Sequence, residues 1–290
     1  MFDEYLFAKI RDVFGGRIKV MVVGGAPIAA PVMDFTRATI GAYVISGYGQ
    51  TESSGLCSLT IECDSDPTVI GSPVHCNYVK LFPVPDLGYD DPEKQGGEIC
   101  IKGPNVFKGY YKNETITKEV LGEDGWLHTG DIGKWTKSGT IQIIDRVKNI
   151  FKLSQGEYIA PEKVENFYAG SKLVSQVFVY GESLKTCLIA IVVPDEEELP
   201  RVVEEKLHLK NIPFKDLCSN SLVRKMVMED MIEVGKESGL FPFEQVKDIF
   251  LSDEPFSTEN QLLTPTMKNR RGLLKKRYEK ELQEMYAKLP

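Results

Sequence analysis

Apolar positions near the amino terminus fall at Phe2, Tyr5, Leu6, Ile10, Val13 and Phe14. That spacing predicts one stripe of an amphipathic helix, and Gly15-Gly16 ends it. The period then changes. "RIKVMVVGGAP" is a β-branched run stopped by Gly24-Gly25, "PVMDFTRATIGA" returns to helical spacing, and "AYVISGYG" is a second strand-length apolar run. Strand, helix, strand is a βαβ unit, so the pattern predicts a parallel sheet with loops at its carboxyl edge. Residues 24–27 and 47–52 are those loops, and in open α/β sheets that edge is where ligands bind.

Residues 69–145 differ. "VIGSPVHCNYVKLFPVPD", "GGEICIKGPNVFKGYY" and "GTIQIIDR" are short strands cut by Gly, Pro and Asn, which predicts a small antiparallel β unit. Near residue 148 the pattern changes again. A helix opens at Pro161 and Glu162, "VSQVFVYG" and "LIAIVVPD" read as strands, and from about Glu196 the spacing is mainly helical. A domain boundary is expected at about Lys148, giving domains 1–148 and 149–290. The chain has 290 residues, enough for two domains of roughly 100–200 residues each.

Composition narrows the function classes. The net charge of −7 argues against a general nucleic-acid surface. Six cysteines, at 57, 63, 76, 100, 187 and 218, form no C-x-x-C pair, so neither a zinc site nor a disulfide framework is implied and a reducing, intracellular compartment is expected. No apolar run approaches the ~20 residues of a membrane span, and the opening residues lack the basic leader and apolar centre of a signal peptide.

Four clusters carry candidate chemistry. In Tyr48-Gly49-Gln50-Thr51-Glu52, the glycine leaves room for a ligand and the tyrosine offers a flat face for a planar base. Thr51 can donate to a phosphate oxygen, and Glu52 is a hard oxygen ligand of the kind Mg2+ accepts. A polar turn with a helix cap is the competing account. In "GWLHTGDIGKW", Asp131 can accept two hydrogen bonds from a ribose diol, or it can serve an Asx turn between strands; His128 there reads as a packing or hydrogen-bonding residue. In "DRVKNIFKLSQGEYIAPEKVE", Arg146 can pair with phosphate, Lys148 lies on the boundary and Ser154-Gln155-Gly156 is a flexible turn; a solvated hairpin and linker is the alternative. In "LLTPTMKNRR", Lys268 is a mobile point charge suited to an anion. The basic run after it (Arg270, Arg271, Lys275, Lys276, Arg277) reads as a solvated helix face, with a weak contact to an anionic membrane as the lesser alternative.

Taken in order, "GGAP", "GYGQTE", "GEICIKGPNVFKGYY", "GWLHTGDIGKW", "IIDRVKNIFKLSQGEYIAPEKVEN", "LIAIVVPD", "FPFEQVK" and "LLTPTMK" resemble the adenylate-forming (AMP-binding) superfamily, and within it the long-chain acyl-CoA synthetases. The resemblance covers essentially the whole chain. It implies an α/β fold with α+β elements. The first part would be the carboxyl-terminal part of a large domain, with a partial parallel βαβ sheet and a small antiparallel β-barrel unit; a small mobile α+β lid would follow. It implies activation of a long-chain fatty acid with ATP and Mg2+ to an acyl-adenylate, then transfer to CoA.

By motif position, Tyr48 should stack on adenine, with Gly24, Gly25, Ala26 and Pro27 on the other side of the base. Gly49 and Gln50 should lie beside the nucleotide, Thr51 should contact the α-phosphate and Glu52 the Mg2+. Asp131 should hold the ribose and Arg146 the nucleotide, with Lys148 as hinge. Lys268 should bridge carboxylate and α-phosphate, and the turn holding Ser154, Gly156 and Glu157 should serve CoA after the lid swings. The family's full-length members sit on endoplasmic reticulum, mitochondrial outer or peroxisomal membranes through an amino-terminal anchor.

Two departures stand out. No Ser/Thr/Gly-rich loop ending in Pro-Lys-Gly occurs in these residues, so the isolated chain is expected to be inactive and to expose an edge strand through which it associates. "TPTMK" lacks the glycine that usually precedes the lysine, which reads as a marker of the long-chain branch. Two alternatives stay open. One is another acyl- or aryl-CoA ligase branch, such as a coumarate ligase or a luciferase-like enzyme. The other is a noncatalytic remnant that binds a partner.

Overall fold

A computed structural model describes residues 6–25, 28, 30–61, 64–93 and 96–289. Ala26, Pro27, Phe2, Tyr5 and Cys63 lie outside the described residues. The chain forms two compact units, 1–148 and 149–290.

The first unit opens with a short helix, α1 (Ala8–Val13). Strand β1 (Val20–Gly24), helix α2 (Ala30–Ile40) and strand β2 (Tyr43–Gln50) follow. β1 and β2 pair in parallel with Gly24 opposite Gly47, so both strands end at one edge. β3 (Gly55–Leu59) and β4 (Ser72–Pro73) then add antiparallel neighbours, giving the order β1-β2-β3-β4. Among the described residues of this sheet only the β1–β2 pair is parallel, because a short turn returns the chain directly into β3 and leaves no length for a crossover.

A second sheet contains β5 (Tyr78–Phe82), β6 (Gly97–Lys102), β7 (Leu127–Trp135) and β8 (Ile141–Arg146), all antiparallel and in chain order. Helix α3 (Glu114–Val120), capped by the Asn113 side chain, lies between β6 and β7. This sheet corrects the expected barrel. β5 and β8 are its two edges and do not pair, so it is open. Its core joins Tyr48, Cys57 and Ile70 to Ile99, Ile101 and Ile141.

The second unit begins with a two-residue hairpin, β9 (Phe151–Lys152) and β10 (Tyr158–Ile159). Helix α4 (Pro161–Tyr168) follows, with Pro161 in its first turn as the sequence predicts. β11 (Val174–Tyr180) and β12 (Leu188–Pro194) are antiparallel. Helices α5 (Glu198–Leu207), α6 (Phe214–Ser219) and α7 (Ser221–Glu237) lead to β13 (Val246–Leu251), which joins β12 in parallel. β13 lies inside the stretch that read as mainly helical. Helices α8 (Arg271–Arg277) and α9 (Glu279–Lys288) close the chain.

All seven residues of β12 are buried, because cores form on both faces of its sheet. One core packs Leu188, Ala190 and Val192 with Val164, Tyr168 and Val227. The other packs Ile189, Ile191 and Val193 with Leu274, Leu282 and Met285.

Candidate functional site

In the first unit, β2 delivers the Gly-Tyr-Gly run to the sheet edge and a short helical turn, residues 51–53, follows. Ser53 staples that turn. Its Oγ donates to the Gln50 carbonyl at 2.9 Å and accepts from the Gln50 N–H at 3.3 Å. The segment around residue 105 holds the turn from outside: Asn105 Nδ2 donates to the Ser53 carbonyl at 2.9 Å, and the Phe107 N–H donates to the Glu52 carbonyl at 2.7 Å.

Gly49 is required for a reason other than ligand room. A Cβ there would sit 1.5 Å from the Gly55 carbonyl oxygen, where β2 and β3 cross at a register shift. Gly25, at φ +81°, has open space where a side chain would be.

Tyr48 also differs from the open aromatic face expected of it. Its ring is 8% exposed and belongs to the core, and its hydroxyl donates to Asp131 Oδ2 at 2.7 Å. Burial, with the Asp131 charge second, pushes the phenol well above its ordinary value, so it stays a donor. Asp131 is itself 5% exposed. It faces Arg146 across the β7–β8 register, and Arg146 Nε lies 3.0 Å from Asp131 Oδ1. A buried carboxylate thus has a neutral donor on one oxygen and a guanidinium on the other, the pairing that such a group requires.

The turn that carries Asp131 is held by a second cluster. Glu98 on β6 accepts the Gly130 N–H through Oε1 at 2.9 Å, and its Oε2 lies 2.8 Å from His128 Nδ1. Cys100 Sγ is 3.5 Å from the same nitrogen. Burial, then the Glu98 charge, pushes the Cys100 thiol up to about 12, so it is a thiol rather than a thiolate. Gly130 sits at φ +71°, a left-handed conformation that favours glycine.

Thr51 is exposed and Glu52 half-buried. Glu52 Oε1 accepts the Tyr110 hydroxyl at 2.6 Å, and this bond is the main reason the Tyr110 phenol rises to about 12. Tyr110 was not among the expected site residues. Its only signal was its place in "GPNVFKGYY", 58 positions away from its partner. The Gln50 side-chain nitrogen is buried without a hydrogen-bond partner among the described residues, a donor left over in a polar turn. A hard carboxylate oxygen at an accessible turn fits Mg2+, which takes one or two carboxylates beside substrate phosphates.

The remaining candidates lie in the second unit. Ser154, Gly156 and Glu157 form the β9–β10 turn, with Gly156 at φ +98° and the Leu153 N–H donating to the Glu157 carbonyl. The expected flexibility is opposed by two ties: the Ser154 N–H donates to the Lys185 carbonyl at 3.0 Å, and Gln155 Nε2 to the Thr186 carbonyl at 2.9 Å. Lys268 lies in a closed turn. The Thr264 N–H donates to its carbonyl at 2.8 Å, and its own N–H donates to Thr264 Oγ1 at 3.0 Å. Lys148 is in the turn after β8, beside Val147, whose N–H donates to the Gly130 carbonyl. Thus Tyr48, Asp131 and Arg146 are brought into direct contact, while Lys268 and the 154–157 turn belong to the other unit.

Residues 3–111 match the family described as AMP-binding enzyme. That segment is similar to AMP-binding enzymes. The chain is 51% identical over 289 residues to long-chain-fatty-acid–CoA ligase 5 of Rattus norvegicus, covering 100% of this chain and 42% of that protein. It is 45% identical over 292 residues to the peroxisomal long chain acyl-CoA synthetase 6 of Arabidopsis thaliana, covering 100% of this chain and 41% of that one. The adenylation domain of a carboxylate reductase from Mycobacterium chelonae superposes with a TM-score of 0.82 at 32% identity, over 98% of this chain and 41% of that one. The chain therefore spans about two fifths of the length of the curated relatives it matches. Among the described residues, no helix is long and apolar enough to cross a membrane.

Proposed function

We propose that this chain is the nucleotide-handling and lid portion of a long-chain-fatty-acid–CoA ligase. The reaction joins a long-chain fatty acid, ATP and CoA into acyl-CoA, AMP and diphosphate through an acyl-adenylate. The observation that carries the reading is the Tyr48–Asp131–Arg146 network beside the Thr51-Glu52 turn. Asp131 accepts the ribose hydroxyls, held in place by Tyr48 and Arg146, and Arg146 also faces the nucleotide. Gly24, Gly25 and Tyr48, at the ends of paired strands, border the adenine. Thr51 donates to the α-phosphate. Glu52 holds Mg2+, which when bound neutralises phosphate charge. Lys268 places its ammonium where the carboxylate attacks phosphorus, stabilising charge that builds there. The 154–157 turn then serves the CoA step, with Lys148 as hinge between the domains 1–148 and 149–290.

The name of the peroxisomal relative from Arabidopsis thaliana supports an intracellular site of action, and the exposed Val20 and Val22 of β1 support self-association. The half-reactions are to be assayed in the complete gene product, because these 290 residues carry no Ser/Thr-rich loop ending in Pro-Lys-Gly. Lys268→Ala is expected to lower pyrophosphate exchange by roughly 10²–10³, the usual effect of losing one preorganised donor. Thioester formation from supplied acyl-adenylate should change far less. Lys148→Pro should show the reverse, because proline fixes φ at the hinge. Equal losses in both half-reactions for Lys268→Ala would refute the assignment.

A further inference from the structure

β11 is one edge of its sheet and, among the described residues, pairs only with β12. An edge strand presents unpaired N–H and C=O groups that must be covered. Here side chains cover them. The Val179 N–H donates to Glu165 Oε1 at 2.8 Å. The Val177 carbonyl accepts Asn269 Nδ2 at 3.0 Å, and the Val179 carbonyl accepts Arg271 Nη2. Val177 and Val179 are two apart, so their backbone groups face the same side of the strand. Arg271 Nη1 also lies 2.7 Å from Glu165 Oε1, and its guanidinium stacks 4.9 Å from the Phe178 ring centre. Glu165, on α4, is therefore a buried hub that ties a helix, a strand edge and the first residue of α8 together.

Two of the three side chains that dock on this edge, Asn269 and Arg271, are the first and third residues after Lys268. On the other flank, Leu263 bridges Asn269 and the Arg270 N–H donates to the Leu262 carbonyl at 2.9 Å. The turn between, with Met267 at φ +62°, has little freedom left once its ends are fixed. This also corrects the expected solvated basic face. Arg271 is an internal clamp, whereas Lys275 and Arg277 are about half exposed.

We infer that Glu165, Asn269 and Arg271 are positioning residues that hold Lys268 on the backbone edge of β11. The inference rests on the reading that Lys268 acts in adenylation. The clamp needs no contact with substrate; it sets where the ammonium can reach. A misplacement of about 1 Å at a catalytic group can cost roughly a hundredfold in rate.

The experiment has two arms. In the first, a lysine-specific protease is applied to the folded 290-residue chain and cleavage after Lys268 is followed by mass spectrometry. Asn269→Ala and Arg271→Lys should speed that cut at least about fivefold while cuts at other lysines keep their rates; Glu165→Gln, which preserves shape, should act in the same direction. In the second, the complete gene product is assayed. Asn269→Ala and Arg271→Lys should each lower pyrophosphate exchange about 10- to 100-fold through kcat, and change thioester formation less than about twofold. Combined with Lys268→Ala, they should add less than about a twofold further loss. Unchanged cleavage after Lys268 overturns the clamp. Faster cleavage with equal losses in both half-reactions, or full additivity with Lys268→Ala, overturns its role in positioning. If Lys268→Ala leaves exchange intact, the parent reading fails and the positioning role falls with it, whatever the protease shows of the clamp.

Discussion

Tyr48→Phe deletes one oxygen and leaves the ring volume of a core position unchanged. The lost bond is a hydroxyl donating at 2.7 Å to a carboxylate, and both partners are more than nine-tenths buried. Hydrogen bonds to charged groups contribute about 1.5–3 kcal/mol, and Asp131 keeps Arg146 as its second partner, so a loss of about 2 kcal/mol is expected. Arg146→Ala should cost less, under about 1 kcal/mol, because the Arg146 side chain is 48% exposed and water screens the pair. The chain has two tryptophans, Trp126 and Trp135, and both lie in the first unit. Urea unfolding followed by tryptophan fluorescence therefore reports that unit alone. With a slope of about 1–3 kcal/mol per molar urea, the Tyr48→Phe midpoint should fall by roughly 1 M. A loss below about 0.5 kcal/mol, or a larger loss for Arg146→Ala than for Tyr48→Phe, would refute the buried network as described.

Gly49→Ala should abolish the cooperative tryptophan transition or soluble expression, since its Cβ would overlap the Gly55 carbonyl; Gly272→Ala, in open space within α8, should be neutral or stabilising by about 0.5–1 kcal/mol in a thermal melt. Alkylation at pH 8 should label exposed Cys76 well before Cys100, whose thiolate fraction is about one part in ten thousand; mass-spectrometric mapping with Cys100 labelled first would contradict its burial. Val20, Val22, Tyr43 and Phe35 are all more than half exposed in the first unit, so light scattering should show concentration-dependent association, and Val22→Lys on β1 should reduce it. A monodisperse monomer at all concentrations would remove that surface from consideration.

Much of the fold was legible because it rests on local periodicity. The βαβ start, the antiparallel strands after residue 69 and the Pro161 helix all follow from spacing and turn residues. β13 was not, because "VKDIFL" is six residues long and has polar neighbours on both sides; its identity as a strand comes from β12, more than fifty positions earlier in the chain. The open sheet was equally hidden, since closure depends on whether β5 meets β8 and no local signal encodes that. At the site, the residue types around Tyr48 and Asp131 were readable, but their direct bond spans 83 positions. Gly49 was singled out for ligand room, and the backbone crowding that also demands a glycine there was hidden, because the strand that crowds it lies beyond the motif. Arg271 sat in a basic run that looked uniform, and only the edge of β11 distinguishes it from its neighbours.

The complete burial of β12 bears on how this protein can change over evolutionary time. A strand with one wet face lets half its positions drift, so its sequence diverges in a two-residue rhythm. β12 has no such face: Leu188 to Pro194 are all enclosed, with alternate residues answering to different cores. A larger side chain at Ala190 would press on one core and leave the other untouched, so compensation would have to come from that core, to which α4 and α7 contribute, and not from α8 or α9. The two layers can therefore be retuned separately, while the strand between them admits only changes that preserve volume and apolarity at each of seven successive sites.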